Sequence, residues 1–129
     1  QALALWESSA GVGLSSTDSR DRIAVYLERN PGLSFVATDG KGVVGAVLCG
    51  HDGRRGFVHH LAVRADKRRN GIGRVLVDRC IAALERHGID KSHLLVFREN
   101  RAAIAFWEAL GWERRGDITV MSRYTQAAK

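Results

Sequence analysis

The sequence predicts a mixed α/β fold with α+β connectivity, in which helices flank a central mixed sheet. Three β-like segments follow one another across short turns, and this order is typical of antiparallel neighbours. After them, helical and strand-like segments alternate, as they do where helices cover the faces of a sheet. With 129 residues, the chain is expected to form one domain, residues 1–129, large enough to bury a proper core.

The first 32 residues predict two helices. Residues 2–6 form the end of a helix that turns Leu5 and Trp6 inward, and residues 8–16 form a loop of small residues. Asp18 is a good N-cap for the second helix, with Asp21 three residues on. This helix ends at the Asn-Pro-Gly sequence of residues 30–32, and its apolar face consists of Ile23, Ala24, Tyr26 and Leu27.

Strands are predicted on both sides of the Asp-Gly-Lys-Gly turn at residues 39–42, over residues 33–38 and 43–49. A second turn, residues 51–56, leads into a central strand at 57–63, whose compact apolar and aromatic run suits burial on both faces. An apolar strand follows at residues 94–97. Residues 117–124 supply the last strand, and residues 125–129 are expected to be a frayed end.

A basic glycine loop follows the central strand. Its two glycines let the backbone come close to a ligand, and the apolar residues beyond it switch to helical spacing. The first turn of a helix has free N–H groups and a positive dipole end, so anions bind there. Arginines beside the turn add charge-assisted donors suited to phosphate oxygens. The glycines are Gly71 and Gly73, the basic residues are Lys67, Arg68, Arg69 and Arg74, and the apolar positions are Ile72, Val75, Leu76, Cys80, Ala83 and Leu84.

Two well-known phosphate loops do not fit this one. No G-x-x-x-x-G-K-[ST] string occurs, and Leu76 stands where the dinucleotide fingerprint needs its third glycine. The string that does occur, R-x-x-G-x-G from Arg68 to Gly73, resembles the acyl-CoA pyrophosphate loop of the GNAT superfamily of N-acetyltransferases. Residues 100–112 resemble the family's N-x-x-A-x-x-F-Y-x-x-x-G-F helix. The resemblance covers the chain from Leu33 to the C terminus, with both motifs in the family's order and spacing.

The resemblance implies an N-acetyltransferase with a GNAT-like sheet and acetyl-CoA as its cofactor. In this family the central strand splays from its neighbour and hydrogen-bonds the pantetheine arm, here at Leu61 and Val63, whose backbone amides are the natural oxyanion donors. Asn100 carries over as a polar contact to the cofactor, as the N-cap of its helix, or as both. The cofactor-binding residues expected on this basis are Leu61, Ala62, Val63, Arg68, Arg69, Asn70, Gly71, Ile72, Gly73, Arg74, Asn100, Phe106 and Trp107.

Acetyl transfer to an amine needs a base, and histidine has a suitable pKa. His59 and His60 both lie on the central strand, on opposite faces, beside the place where family members carry their base. His59 is slightly preferred because some relatives have a catalytic histidine there. Trp107 replaces the tyrosine with which the family protonates the departing thiolate, and an indole N–H cannot release its proton. Either Trp107 stabilises the thiolate by hydrogen bonding, Tyr124 or solvent supplies the proton, or the protein binds acyl-CoA without efficient turnover.

Family members normally open with a strand that precedes the first helix. None precedes it here, so either the chain is truncated or the first helix closes the sheet edge in another way. The family's first two helices and the loop between them shape the acceptor pocket. In this chain, these two helices and their loop offer the side chains Trp6, Glu7, Asp18, Asp21, Tyr26 and Glu28. Side chains of this kind more often form a solvated helix face than bind a ligand.

Charge and cysteine content narrow the choice of partners. A formal net charge of +6 and a pI near 10.0 point to an anionic partner, either coenzyme A or nucleic acid. The basic residues cluster at one turn without an aromatic stacking platform, which disfavours nucleic acid. A non-catalytic acyl-CoA sensor is the stronger alternative to an enzyme. The sequence does not specify the amine acceptor, and it leaves open whether the protein forms a homodimer.

Cys49 and Cys80 have no metal-ligand spacing and are interpreted as buried free thiols, which suits the cytoplasm. We expect no metal site. The longest apolar run, residues 42–50, is well short of the ~20 residues that a membrane helix needs, so no membrane association is expected.

Overall fold

The computed structural model of the protein describes residues 1–9, 12–15 and 18–126. The chain divides into two compact units, Gln1–Phe97 and Arg98–Lys129. The second unit contains the helix α4 (Arg101–Ala109). The first unit contains, in chain order, α1 (Ala2–Ser8), α2 (Arg20–Arg29), β1 (Phe35–Thr38), β2 (Val43–His51), β3 (Gly56–Val63), a 3₁₀ turn (Ala65–Lys67), α3 (Ile72–Arg86) and β4 (Ser92–Leu94).

The sheet of the first unit has the strand order β1-β2-β3-β4. The first two pairs are antiparallel, whereas β3 and β4 run parallel, so the predicted mixed sheet is confirmed. Both hairpin turns are held by an aspartate that accepts hydrogen bonds from the backbone of its own turn. Asp39 accepts from the N–H of Lys41 at 2.9 Å, and Asp52 accepts from the N–H of Arg55 at 2.8 Å.

Helices cover both faces of this sheet. On one face, Leu5 and Trp6 of α1 are buried against Ala46 and Leu48 of β2 and Ala62 of β3. On the other face, α3 lies against the β2 backbone, since a Cβ at Gly45 would stand 3.0 Å from Ile72 Cγ2 and 3.1 Å from Leu76 Cδ1. The predicted inward packing of Leu5 and Trp6 is therefore confirmed, as is the burial of both cysteines as free thiols.

The C-terminal end of α2 is anchored to β2. Asn30 is the buried C-cap residue of this helix; its side-chain oxygen accepts from the N–H of His51 at 3.0 Å, and its amide nitrogen donates to Tyr26 O at 3.2 Å. A Cβ at Gly50 would overlap both the Tyr26 hydroxyl and the Asn30 side chain. A glycine at position 50 therefore allows α2 to lie close to the sheet.

Several predicted details of the helices and of β3 are wrong. Ser19, not Asp18, caps α2, because its hydroxyl accepts from the N–H of Arg22 at 3.3 Å. Only part of the predicted apolar face of α2 is covered, since Ala24 and Leu27 are exposed. Val75 on α3 is 54% exposed. Five of the eight residues of the central strand β3 are only half-buried, including the consecutive residues 59–61, so it is not buried on both faces.

Strand boundaries are the second class of error. The fourth strand covers Ser92–Leu94, and residues 95–97 beyond it are exposed instead of forming the predicted strand. Residues 117–124 are all described and form no strand. A β-prone sequence becomes a strand only where a neighbouring strand pairs with it. Residues 10, 11 and 16 of the predicted loop, and 127–129 of the predicted frayed end, lie outside the described residues.

Candidate active site

A β-bulge interrupts β3 at its centre. Leu48 pairs with His59, but Ala46 pairs with Ala62, so β3 has one residue more than β2 between these pairs. His60 takes up the extra length with a φ of 53°, a left-handed conformation that is uncommon outside glycine. Bulges of this kind redirect side chains and are common next to active sites.

The bulge places both strand histidines in one cleft. The cleft has a volume of about 830 Å³, and the ring centroids of His59 and His60 are 6.0 Å apart. The prediction that the two lie on opposite faces is therefore wrong, because it assumed an unbroken two-residue alternation along the strand. Besides the histidines, the cleft is lined by Gly13, Ser15, Asp18, Ser19, Asp21, Arg22, Ile23, Val25, Tyr26, Arg29 and Leu48.

His60 is paired with a carboxylate from the segment that precedes α2. Its Nε2 lies 2.7 Å from Asp18 Oδ1, and both side chains are largely covered, with 15% and 12% exposed. The other carboxylate oxygen, Oδ2, accepts from the N–H of Ser15 at 2.9 Å. Burial works against the charged form of Asp18, but the hydrogen bonds from His60 and Ser15 outweigh it and lower the pKa of the carboxyl. Asp18 is therefore ionised at neutral pH.

His59 lies in a more apolar part of the cleft. Its ring stacks on Phe57, with centroids 6.1 Å apart and 7° between the planes, and it meets the edge of Tyr26 at 6.1 Å. Burial lowers the pKa of His59, and the neighbouring His60 lowers it further. Burial also raises the pKa of Tyr26 to about 12. At neutral pH the cleft therefore holds a neutral His59 and a neutral Tyr26.

Beyond the bulge, β3 has a free edge. Its pairing with β4 stops at Val58 and Leu94, so among the described residues no strand pairs with β3 on that side from His59 onward. The N–H of Arg64 donates to Val44 O at 2.7 Å. Because antiparallel pairing alternates, Ala62 also faces β2, while Leu61 and Val63 direct their backbone groups to the free edge. The Val63 carbonyl there accepts from Arg68 Nε at 3.0 Å.

The basic glycine loop joins this edge to the start of α3. Gly71 is the residue before the helix, with a φ of 77° and no side chain that caps the first turn. The first helical N–H groups, those of Ile72 and Gly73, have no carbonyl one turn earlier to bond to. Arg69 and Arg74 are exposed and have no ion-pair partner in the described part of the chain. Free amides, a positive helix end and two free guanidinium groups fit a diphosphate.

The remaining predicted residues lie in the second unit. Asn100 is the N-cap of α4, and its side-chain oxygen accepts from the N–H of Ala103 at 3.1 Å. Trp107 is 9% exposed and packs edge-on against Phe106 and Trp112, each at 5.2 Å. Tyr124 is 79% exposed and belongs to no helix or strand.

Sequence reasoning missed the contact between Asp18 and His60. The sequence predicts Asp18 to be a helix cap and Ser15 to lie in a loop of small residues. The two partners are 42 positions apart, and no local pattern links an aspartate before a helix to a histidine in a distant strand. The His60 ring is turned toward the Asp18 carboxylate by the β-bulge, which cannot be predicted from the sequence.

Comparisons with known proteins identify the family and the fold of the chain. The model of the acetyltransferase (GNAT) family matches residues 1–112. An acetyltransferase of Pectobacterium atrosepticum is 37% identical over 97 residues, which are 75% of this chain and 69% of that protein. The structure of a GNAT family acetyltransferase of Streptococcus pneumoniae has a TM-score of 0.74 at 23% identity and covers 97% of this chain and 89% of its own.

A chain of the NatC complex, solved with Gag peptide and CoA, has a TM-score of 0.71 at 27% identity, and the match covers 88% of this chain and 78% of that chain.

In the described residues, no helix has the length and apolar character needed to cross a membrane.

Proposed function

Because the chain belongs to the GNAT acetyltransferase family and is an acyl-CoA-dependent N-acyltransferase, we propose that it acetylates a primary amine by direct attack in a ternary complex. The cofactor of this family is acetyl-CoA. The observation that carries the proposal is the cleft, where two histidines adjoin the free edge of β3. The amine belongs to a small molecule, a peptide or a protein; the peptide class is supported by the NatC complex, whose structure is bound to Gag peptide and CoA.

Residues on β3 and in the basic loop hold the cofactor in this proposal. The backbone N–H groups of Leu61 and Val63, on either side of Ala62, face the edge of β3, where an extended amide-containing chain can pair as a neighbouring strand would. The loop from Arg68 to Arg74 offers helix amides and guanidinium groups to the diphosphate. Acetyl-CoA supplies a thioester whose carbonyl carbon accepts the amine nitrogen and whose thiolate departs. The N–H groups on the strand edge are suited to stabilise charge on the carbonyl oxygen.

The two histidines of the cleft are the candidate bases for the amine. A protonated amine has no lone pair for attack, so a nearby base must remove its proton, and such a base contributes typically 10²- to 10⁴-fold to the rate. His59 and His60 are the two basic imidazoles that line the cleft. The opening of about 830 Å³ is large enough for a small amine or for the end of a peptide.

Protonation of the thiolate has no dedicated acid in this proposal. The Trp107 indole can donate a hydrogen bond to sulfur but cannot give up its proton. Tyr124, which is 79% exposed, or solvent then supplies the proton. A thiol is a fair leaving group, so the absence of one acid costs roughly 10- to 100-fold in rate, at or below the lower limit of the range for general acid catalysis. Asn100 and Phe106 complete the proposed cofactor contacts.

The free thiols Cys49 and Cys80 favour a reducing compartment, and we include the cytoplasm in the proposal. Nucleic acid and membranes are not among the proposed partners. A homodimer is compatible with the proposed function.

Release of free thiol from acetyl-CoA, measured over a panel of primary amines and amine-bearing peptides, tests the proposed function. We expect thiol release that depends on one class of amine. Initial rates at crossed concentrations of the two substrates should give intersecting reciprocal lines, as a ternary complex requires. Parallel lines would indicate an acetyl-enzyme intermediate, and thiol release that no amine increases would refute amine acetylation.

A further inference from the structure

We propose that Asp18 and His60 form a catalytic pair in which His60 Nδ1 accepts the amine proton and Asp18 is the positioning residue. The inference rests on the proposed amine acetylation and assigns the base within it. Its evidence is the contact of 2.7 Å between Asp18 Oδ1 and His60 Nε2, in a cleft that both residues line.

The surroundings of Asp18 determine which nitrogen of His60 carries the proton. Oδ2 of Asp18 accepts from the backbone N–H of Ser15, a donor that cannot turn away. An ionised carboxylate can only accept hydrogen bonds, so His60 Nε2 must be the donor toward Oδ1. The lone pair of the neutral ring is therefore on Nδ1, and this nitrogen is available to a substrate.

His60 is held in place from several sides. The Trp6 ring packs against the imidazole with centroids 5.4 Å apart. The bulge fixes the backbone of His60 at a φ of 53°, a conformation that is sparsely populated for a residue with a side chain and is found where the surroundings impose it. Asp18 itself is tied to its own loop, because the N–H of Asp18 donates to Ser15 O at 2.9 Å. The pair therefore joins α1, the segment before α2, and β3 at one point.

His60 is better suited than His59 to receive a proton. An imidazolium in a covered site needs a counter-charge, and Asp18 provides one in direct contact with His60. The described part of the chain contains no side-chain hydrogen bond to His59, whose neighbours are the rings of Phe57, Tyr26 and His60. Burial and the nearby His60 both lower the pKa of His59, so it resists protonation. His59 then contributes a neutral wall of the cleft.

The charges around the pair come from three elements. His59 faces His60 from β3, and Asp18 faces it from the segment before α2. The titratable and charged residues of α2 that line the same cleft are Asp21, Arg22, Tyr26 and Arg29. These α2 side chains carry one negative and two positive charges, and among the described charged side chains it is Asp18 that contacts His60 directly, at 2.7 Å. That contact is therefore the dominant charge interaction of His60.

The proton and electron balance of the step is complete. The protonated amine first gives one proton to His60 Nδ1, which frees the nitrogen lone pair. The nitrogen then forms a bond to the thioester carbonyl carbon, and the π electrons of the carbonyl move onto its oxygen. The carbonyl re-forms as the C–S bond breaks, the electron pair leaves with the thiolate, the second proton of the nitrogen passes to solvent, and solvent protonates the thiolate. His60 returns its proton to solvent, and Asp18 stays ionised throughout.

Asp18→Asn is the test that the geometry recommends. The amide oxygen of the new side chain would stay on the N–H of Ser15, so its NH₂ group would face His60 Nε2. The ring must then accept at Nε2 and carry its proton on Nδ1, where it can no longer take one from the amine. We expect kcat to fall by about 100-fold or more, within the range for a general base, while the affinity for acetyl-CoA is unchanged. The remaining rate should rise with pH, because the amine then loses its proton unaided.

Nitrogen-15 NMR of the histidine rings, without any substrate, gives a second readout. In the wild-type protein the neutral His60 ring should carry its proton on Nε2, and in Asp18→Asn it should carry it on Nδ1. Asp18→Glu, which keeps a carboxylate, should retain the wild-type tautomer and part of the rate. Asp52→Asn is the matched control for the chemical change, because Asp52 also holds a turn through backbone N–H groups but lies between β2 and β3. We expect that control to leave rate and tautomer unchanged.

Two results would overturn the catalytic pair while leaving amine acetylation intact: an Asp18→Asn protein with the wild-type rate and pH profile, or a wild-type His60 that carries its proton on Nδ1. A wild-type protein that acetylates no amine would overturn both the proposed function and the base assignment. The ring tautomer distinguishes the two failures, because it is measured without turnover.

Discussion

Replacing Gly71 by alanine tests the assignment of the diphosphate to the basic loop. Gly71 has a φ of +77°, and a Cβ built there meets nothing within 4 Å. The cost of alanine is therefore backbone strain alone, about 1–2 kcal/mol for an L-residue in the left-handed region. If the loop relaxes to relieve this strain, the amides of the first helical turn lose their alignment. Loss of one hydrogen bond to a charged phosphate costs about 1.5–3 kcal/mol, which is roughly a 10- to 100-fold weaker affinity for acetyl-CoA.

Gly88 provides a matched control at the other end of α3. Its φ is also +77°, and a Cβ there likewise meets nothing within 4 Å. Both alanine variants should lose the same 1–2 kcal/mol of unfolding free energy in denaturant titrations. Only Gly71→Ala should bind acetyl-CoA more weakly by titration calorimetry. Equal affinities in the two variants, with equal losses of stability, would refute the loop assignment.

Three further predictions concern other parts of the chain. Trp107→Ala should lower the unfolding free energy by about 3–5 kcal/mol, because the ring is 9% exposed and packs among other aromatic rings. Trp107→Tyr should keep turnover within about tenfold of wild type or raise it. A Trp107→Ala protein with wild-type stability in thermal melts and wild-type activity would contradict this prediction. Arg74→Ala should weaken acetyl-CoA binding a few-fold at low salt and less at high salt, since exposed ion pairs contribute about 0.2–1 kcal/mol and are screened; a loss that does not depend on salt would argue against a phosphate contact. His59 has a lowered pKa in the folded state, so as pH falls the unfolded chain binds a proton at this histidine before the folded chain does. The unfolding free energy should therefore fall as pH drops below about 6.5. His59→Phe should reduce the dependence of the unfolding free energy on pH, measured by denaturation at several pH values, and an unchanged dependence would contradict the burial of a neutral ring.

Features that depend on neighbouring residues were predictable from the sequence. The Asp-Gly-Lys-Gly turn, the switch to helical spacing after Gly71 and the capping role of Asn100 each need only a few consecutive residues. Glycines and short polar side chains adopt these conformations for local reasons. The order of strands followed from the same signals, because short turns join antiparallel neighbours.

Features that depend on distant partners were not predictable. Residues 117–124 have a β-prone sequence but form no strand, and residues 95–97 leave the sheet after Leu94. A segment forms a strand only where another strand pairs with it, and the segment itself does not encode that pairing. The candidate site shows the same division: the loop was found from its own residues, whereas the bulge at His60 and its contact with Asp18 arise from packing between segments far apart in sequence.

Acetyl transfer to nitrogen is tested most directly by following a labelled acetyl group. The protein is incubated with acetyl-CoA that carries ¹³C in its acetyl group and with the best amine of the panel, and NMR records the labelled carbon while free thiol is measured in the same sample. We predict that the label appears as an amide on the amine nitrogen, in equal amount to the thiol released and in proportion to the protein added. Thiol released together with labelled acetate, and with no amide, would show that water is the acceptor and would contradict the account.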